Sequence, residues 1–228
     1  LRSLPLPHAL RPLLNAPCPS CLAVILVYFR VMNPLQSLRQ RYLQLVDELS
    51  PSARAAYDAV TRQELLPKGY YLCRQGFVCR TVATLQSGSA RIFHLKPEGR
   101  SGTTDVTTAF FFPGDFVTSF QSFYLQVPSQ SAIQLLEESA VTLLDYTALQ
   151  SLRTTYPEID QIDRLSNDYY TMWLEQRIFS LQFHTAAERY ADLLRNEPYL
   201  VQKVPLSYIA SYLGITLETL SRIRARID

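Results

Sequence analysis

Residues 206–225 constrain this chain more than any other stretch. Ile209 and Leu213 give a first helix its inward face, and Ala210 leaves room for a second helix to cross closely. Gly214 takes the turn, and Ile215, Leu220 and Ile223 complete a small shared core. A random helical pair rarely fills all these positions together, so the spacing predicts a helix-turn-helix. Its second helix, 217–227, has an outward face suited to the major groove of a duplex. On that face Glu218 and Arg222 stand one turn apart. An arginine can donate two parallel bonds to guanine O6 and N7, and a carboxylate can accept from cytosine N4. An ordinary exposed ion pair on a solvated helix is the plainer reading of the same two residues. Leu217 and Ser221 join them as candidate base readers, whereas Thr216, Arg224 and Arg226 are expected to meet phosphates. Residues 204–228 hold three arginines against two acids, a modest positive balance that two paired copies would reinforce.

Upstream, 155–181 reads as one long helix. Thr155, Pro157 and Glu158 form a compact start, a capping threonine three residues before a glutamate with proline in the first turn. Ile162, Leu165, Tyr169, Met172, Gln176 and Phe179 then alternate three and four apart, a seam that a second copy of the helix could share. Trp173, Leu174, Ile178 and Leu181 lie off the seam and are expected to pack elsewhere. Two apolar faces favour a homodimer over a helix buried inside a monomer. Thr185 and Glu188 form a second capping box, opening a helix through Tyr190, Leu193 and Leu194.

Between 66 and 149 the pattern changes to short runs of β-formers, among them Tyr70, Leu72, Val82, Leu85, Ile92 and Phe93. Glycines punctuate them at Gly69, Gly76, Gly88, Gly99 and Gly114. Glycine supplies the positive φ of tight turns, so this spacing predicts successive hairpins in a small antiparallel barrel or roll. Two packing helices precede it, one over 35–49 and one starting at Pro51 with Ser50 as its N-cap. The expected fold class is α+β: an N-terminal antiparallel β-roll with flanking helices, a long dimerisation helix and a C-terminal helix-turn-helix domain.

The first 31 residues differ from the rest. They carry five of the fourteen prolines, three arginines and no acidic residue, and Met32 is the first methionine. Met32 is therefore expected to be the biological start and 1–31 a non-native leader. A secretory signal is the competing reading, with Arg2 and Arg11 ahead of the apolar run 22–29. Four cysteines, Cys18, Cys21, Cys73 and Cys79, are expected to be reduced thiols. Taken together they could instead ligate an iron–sulfur cluster, a reading that falls with the leader because it needs Cys18 and Cys21. The longest apolar run, 21–29, is less than half of the roughly 20 residues that a membrane span needs, so no membrane partner is expected. Only three histidines occur, His8, His94 and His184, and neither GxSxG nor GxxxxGKS is present. No enzyme, metal or cofactor is expected.

A glycine-punctuated roll, a long dimer-type helix, a TAAERY helix opening and the C-terminal LSYIASYLGITLETLSRIRARI together resemble the Crp/Fnr superfamily of bacterial transcription regulators. The resemblance covers 35–228 and is most specific over 185–190 and 206–226. It implies a cyclic-nucleotide-binding-like jelly roll over 32–154, a dimerisation helix over 155–182 and a DNA-binding domain over 183–228. It also matches Glu218 and Arg222 to the family's base-reading glutamate and arginine. Leu217 falls where several members have a third reader, often arginine, which implies a different preferred sequence.

Two departures stand out. The chain ends directly after the recognition helix, leaving no room for the family's β-hairpin wing, through either a short branch or a clipped C-terminus. Members that bind cyclic AMP carry Gly-Glu and Arg-Ser or Arg-Thr pairs where this sequence has Thr118-Ser119 and Ser129-Gln130. The glutamate holds the ribose and the arginine offsets the cyclic phosphate charge, so without both a buried phosphate lacks a cation. Cyclic AMP is therefore not the expected effector. Phe110, Phe111, Phe112, Phe116, Phe120 and Phe123 are either plain core or the lining for another small molecule.

The sequence thus predicts a dimeric, sequence-specific, cytoplasmic DNA-binding regulator. Its partners would be double-stranded DNA, a second copy of itself, an unknown small-molecule effector and, for activation, RNA polymerase. An iron–sulfur or thiol redox-sensing regulator, or a ligand-binding module that does not read DNA, are the alternatives.

Overall fold

The computed structural model of the chain describes residues 34–98 and 102–227. Two helices, α1 (Pro34–Asp47) and α2 (Pro51–Val60), lead into eight strands: β1 (Thr61–Leu66), β2 (Tyr71–Cys73), β3 (Thr81–Leu85), β4 (Ala90–Glu98), β5 (Gly102–Phe111), β6 (Phe116–Val117), β7 (Ala132–Leu135) and β8 (Ser139–Asp145). A short helix, α3 (Phe120–Leu125), sits between β6 and β7. Then come α4 (Tyr146–Thr155), the long α5 (Pro157–Phe183), α6 (Ala186–Asn196), α7 (Pro198–Lys203), α8 (Leu206–Leu213) and α9 (Leu217–Ile227). None of the described helices is long and apolar enough to cross a membrane. Residues 1–31, for which a leader is expected, and the Cys18–Cys21 pair within them lie outside the described residues.

The strands form two four-stranded antiparallel sheets, ordered β1-β8-β3-β6 and β2-β7-β4-β5. Alternate residues point inward, as Ala83 and Leu85 do from β3, and meet Val117, Ile133, Leu135 and Val141 in a closed apolar core. The predicted run of hairpins is corrected here. Among the described strands only β4 and β5 are sequence neighbours that pair. Gly69, Gly76, Gly88 and Gly114 do adopt φ of 83–88°. Each of them lies on a connection that carries the chain from one sheet to the other, which is why the fold is a jelly roll and not a meander. A glycine permits a reversal of direction; which strand lies alongside is decided by the inner face that must be covered.

The long helix also starts differently from the sequence expectation. Thr155 closes α4, and its hydroxyl donates to the Ser151 carbonyl at 3.0 Å. Tyr156 takes the N-cap position of α5 and Pro157, with φ preset, begins it. Glu158 accepts instead from the Ser50 hydroxyl, which also caps α2 by accepting from the Ala53 N–H. Arg153 clamps α4 to α5 through Asp160 and Asp163, each at 2.9 Å, and Tyr124 donates to Asp163 at 2.8 Å. The α6 capping box forms as expected, Thr185 accepting from the Glu188 N–H while Glu188 accepts from the Thr185 N–H.

Candidate nucleic-acid interface and adjoining cavity

The C-terminal helices fold on a core of Tyr190, Leu193, Leu200, Val204, Ile209, Leu213 and Leu220, all buried. α8 ends at Gly214, whose φ of +69° is the left-handed conformation that lets the chain turn sharply into α9. Ile215 follows, its N–H bonded to the Ala210 carbonyl at 3.0 Å, and Ile223 packs from α9 on the same core. Thr216 caps α9: its hydroxyl accepts from the Thr219 N–H at 3.2 Å.

The outward face of α9 is free. Leu217, Glu218, Ser221 and Arg222 are exposed, while Leu220 between them is fully buried. Arg222 directs Nε at the Glu218 backbone carbonyl and Nη2 at Thr219 Oγ1, both at 3.4 Å, and the Glu218 and Arg222 side chains form no ion pair. Its own backbone N–H and the Thr216 hydroxyl hold the Glu218 carboxyl below the ordinary value, with a smaller contribution from Arg222. Both groups are thus open to an outside partner. Of the expected phosphate contacts, Thr216 and Arg226 are exposed. Arg224 is half-buried and its Nε lacks a hydrogen-bond partner among the described residues.

The seam of α5 divides into two halves. Ile162, Leu165 and Tyr169 are half-buried within the chain, and Tyr169 meets the Phe116 ring edge-on at 6.4 Å. Met172, Gln176 and Phe179 are exposed. Trp173 and Leu174, off the seam, face the roll; Ile178, expected to pack elsewhere, is 55% exposed.

Thr118, Ser119 and Gln130 come together on one wall of a cavity of about 500 Å³ between the roll, α5 and α8. Ser129 stands behind that wall. Its hydroxyl lies 2.8 Å from Ser119 Oγ and 2.7 Å from the Ser131 carbonyl, and accepts from the Ser131 N–H at 3.1 Å. Thr118 donates to the Thr81 carbonyl at 3.0 Å. These hydroxyls are occupied by one another and by backbone. Phe120 stacks on Tyr170 at 3.7 Å, Tyr170 on Trp173 at 6.0 Å, and Phe123 is fully buried core.

What the sequence did not disclose is the docking of the helix-turn-helix on the roll. The Arg91 guanidinium is sandwiched between the Phe93 ring at 4.1 Å and the Tyr208 ring of α8 at 3.5 Å, with Asp105 at 2.6 Å. Ser211 of α8 accepts from the Thr107 N–H at 3.1 Å, and Tyr212 meets Phe110 at 5.2 Å. Arg177 of α5 lies over the Tyr212 ring at 3.9 Å and donates to the Tyr212 carbonyl. No periodic signal marks such contacts, because the partners lie 35 to 117 positions apart in this sequence.

No protein-family model matches the sequence. The chain is 28% identical over 184 residues to electron transport regulator A of Shewanella oneidensis, covering 75% of this chain and 70% of that protein. To the fumarate and nitrate reduction regulatory protein of Vibrio cholerae it is 29% identical over 182 residues, covering 74% of this chain and 70% of that protein. The solved structure of FixK2 from Bradyrhizobium japonicum superposes with a TM-score of 0.60 at 20% identity, covering 74% of this chain and 84% of that one.

Proposed function

We propose that the chain is a transcription regulator of the Crp/Fnr superfamily and that it reads a two-fold symmetric DNA site as a homodimer. Glu218 and Arg222 read base edges with Leu217 and Ser221 beside them; Thr216, Arg224 and Arg226 meet phosphates. The observation that carries this reading is the outer face of α9, where a carboxylate and a guanidinium stand exposed without pairing to each other. Dimerisation runs along the exposed half of α5, through Met172, Gln176 and Phe179, and sets two α9 helices about one DNA turn apart. The roll senses an effector other than cyclic AMP, since Thr118, Ser119 and Ser129 are engaged with their own surroundings and, among the described residues, the roll brings no arginine to the cavity. The protein works without catalysis in the cytoplasm, with RNA polymerase as its further partner when it activates.

Selection of duplexes from a random library by the purified full chain, with and without cyclic AMP, tests this. A palindromic consensus that is the same in both conditions is expected. Enrichment only with the nucleotide overturns the view of the roll, and no enrichment in either condition overturns the DNA-reading assignment.

A further inference from the structure

The cavity between the roll, α5 and α8 has an unusual charge inventory. Among the described residues that line it there is no carboxylate, one guanidinium, Arg177, and one imidazole, His94. Burial, with a smaller push from the Arg189 charge, holds the Arg177 guanidinium below its ordinary value, and its direct contacts are the Tyr212 ring and the Tyr212 carbonyl. A desolvated cation without a counter-charge gains most from an anion, and a guanidinium takes a carboxylate through two parallel bonds. On the same face of α5, one and two turns before Arg177, Trp173 and Tyr170 continue with Phe120 into a column of aromatic faces, suited to a flat apolar body. A volume of about 500 Å³ falls in the range of small-molecule sites.

We propose that this cavity takes a small organic monoanion, a planar body lying against Trp173 with its carboxylate on Arg177. Occupancy then draws the guanidinium off the Tyr212 carbonyl and loosens the seat of the helix-turn-helix on the roll. The inference rests on the reading of the roll as an effector sensor and gives that effector a chemical class. A dianionic phosphate monoester would leave one buried charge uncompensated, and a cyclic phosphodiester, a monoanion, would still need donors from Ser119 and Ser129, whose hydroxyls are bonded to each other. The carboxylate is the better match to one cation.

Trp173 is the only tryptophan in the sequence and lines both this cavity and a smaller one around Phe116, so its emission reports binding and the Arg177 variants below assign the response to this cavity. The full chain is titrated with benzoate, phenylacetate and naphthoate, each against its neutral amide, and with cyclic AMP, to about 10 mM, where binding is at the weak end of the measurable range. At least one acid is expected to change Trp173 emission in a saturable way and to bind at least about tenfold more tightly than its amide, the usual worth of a charge-assisted pair. Arg177→Gln removes that preference and Arg177→Lys retains part of it. Equal response to acid and amide, no response to any acid, or competition by cyclic AMP overturns the proposal; the acid-against-amide comparison on the unaltered chain decides even where a variant does not fold. Affinity for a selected duplex, measured with and without the bound acid, is expected to change at least about fivefold, and the duplex changes the acid's affinity by the same factor. An acid that binds with no such change overturns the loosening of the helix-turn-helix. A chain that selects no duplex defeats the DNA-reading assignment while leaving the fluorescence result to stand or fall by itself.

Discussion

At the scale of single residues, the proposed DNA-reading face of α9 separates two kinds of arginine. Arg222→Ala is expected to cost about 1–3 kcal/mol of DNA binding and to relax one base position, because a bidentate contact to a base edge discriminates by that much. Arg226→Ala weakens binding to every duplex alike and lowers the salt slope by about one. Binding to a panel of single-base variants at several salt concentrations separates the two, and identical profiles would refute the division of roles. Arg91 poses a different problem, since its side chain is 3% exposed while Asp105 keeps 32%. Asp105→Asn leaves a buried cation without its counter-charge and is expected to cost about 3 kcal/mol in urea denaturation; Arg91→Met, which leaves a carboxylate that water can reach, costs about 1 kcal/mol. Base-reading candidates were legible in the sequence because their face is fixed by a 3.6-residue period. Arg91, Arg177 and Tyr212 were not, since what gives them meaning is a neighbour far along the chain.

At the scale of elements, glycine position and helix clamping make separate demands. Gly69 and Gly88 share nearly the same backbone, φ +83° and +87°, but differ in surroundings. A Cβ on Gly69 meets nothing within 4 Å, whereas on Gly88 it falls 2.1 Å from Ser139 Oγ and 2.9 Å from the Glu138 carbonyl. Gly69→Ala therefore costs the backbone strain alone, about 1–2 kcal/mol, and Gly88→Ala adds about 1–3 kcal/mol of overpacking, a difference that chemical denaturation resolves. The Arg153 clamp carries a pH signature. Burial raises the Asp163 carboxyl above its ordinary value, against the lowering effect of Tyr124 and Arg153. The folded state therefore takes up that proton more readily than the unfolded chain, and the penalty of the buried charge fades as pH falls through the folded value. Asp160 has the opposite sense: Arg153, then Arg164, holds its carboxyl down, so its stabilisation is present above the unfolded value and lost on acidification. Arg153→Ala removes the cation both depend on. Its cost is expected to be about 2–3 kcal/mol at pH 7, less than for a fully buried pair because Arg153 is a quarter exposed, and to shrink toward pH 4 in thermal unfolding. A cost independent of pH would show that Arg153 acts by packing. The sequence reading located α5 from its period but misplaced its start, because Thr155 had two helices to serve. It likewise located the roll's corners from glycine but not their connectivity, which follows from the pairing of the two inner faces.

At the scale of the whole molecule, the question is what covers the far half of α5. Met172 is 41% exposed, Phe179 51% and Phe183 68%, an apolar strip on a helix whose other side is already packed against the roll. Water against such a strip is unfavourable by roughly 25 cal/mol per Å², so a second copy of the helix laid along it gains apolar burial from both sides at once. Arg39 and Tyr42 of α1 close the near half by reaching Asp115 and the Phe116 ring, which confines the available contact to the stretch after Tyr169. Phe179→Glu places a charge in the middle of that contact and is expected to shift the protein from dimer to monomer in sedimentation equilibrium. Leu65→Glu, on a still more exposed residue at 66% in β1, is the control and is expected to leave the association unchanged. DNA binding then follows from the assembly. On the proposed reading a dimer engages two half-sites and its affinity is expected to fall steeply with salt, because each neutralised phosphate releases a counterion; the Phe179→Glu monomer has one set of basic side chains, and its salt slope is expected to fall to about half. If Phe179→Glu remains dimeric with its slope unchanged, the copies meet elsewhere and the exposed strip of α5 has another occupant.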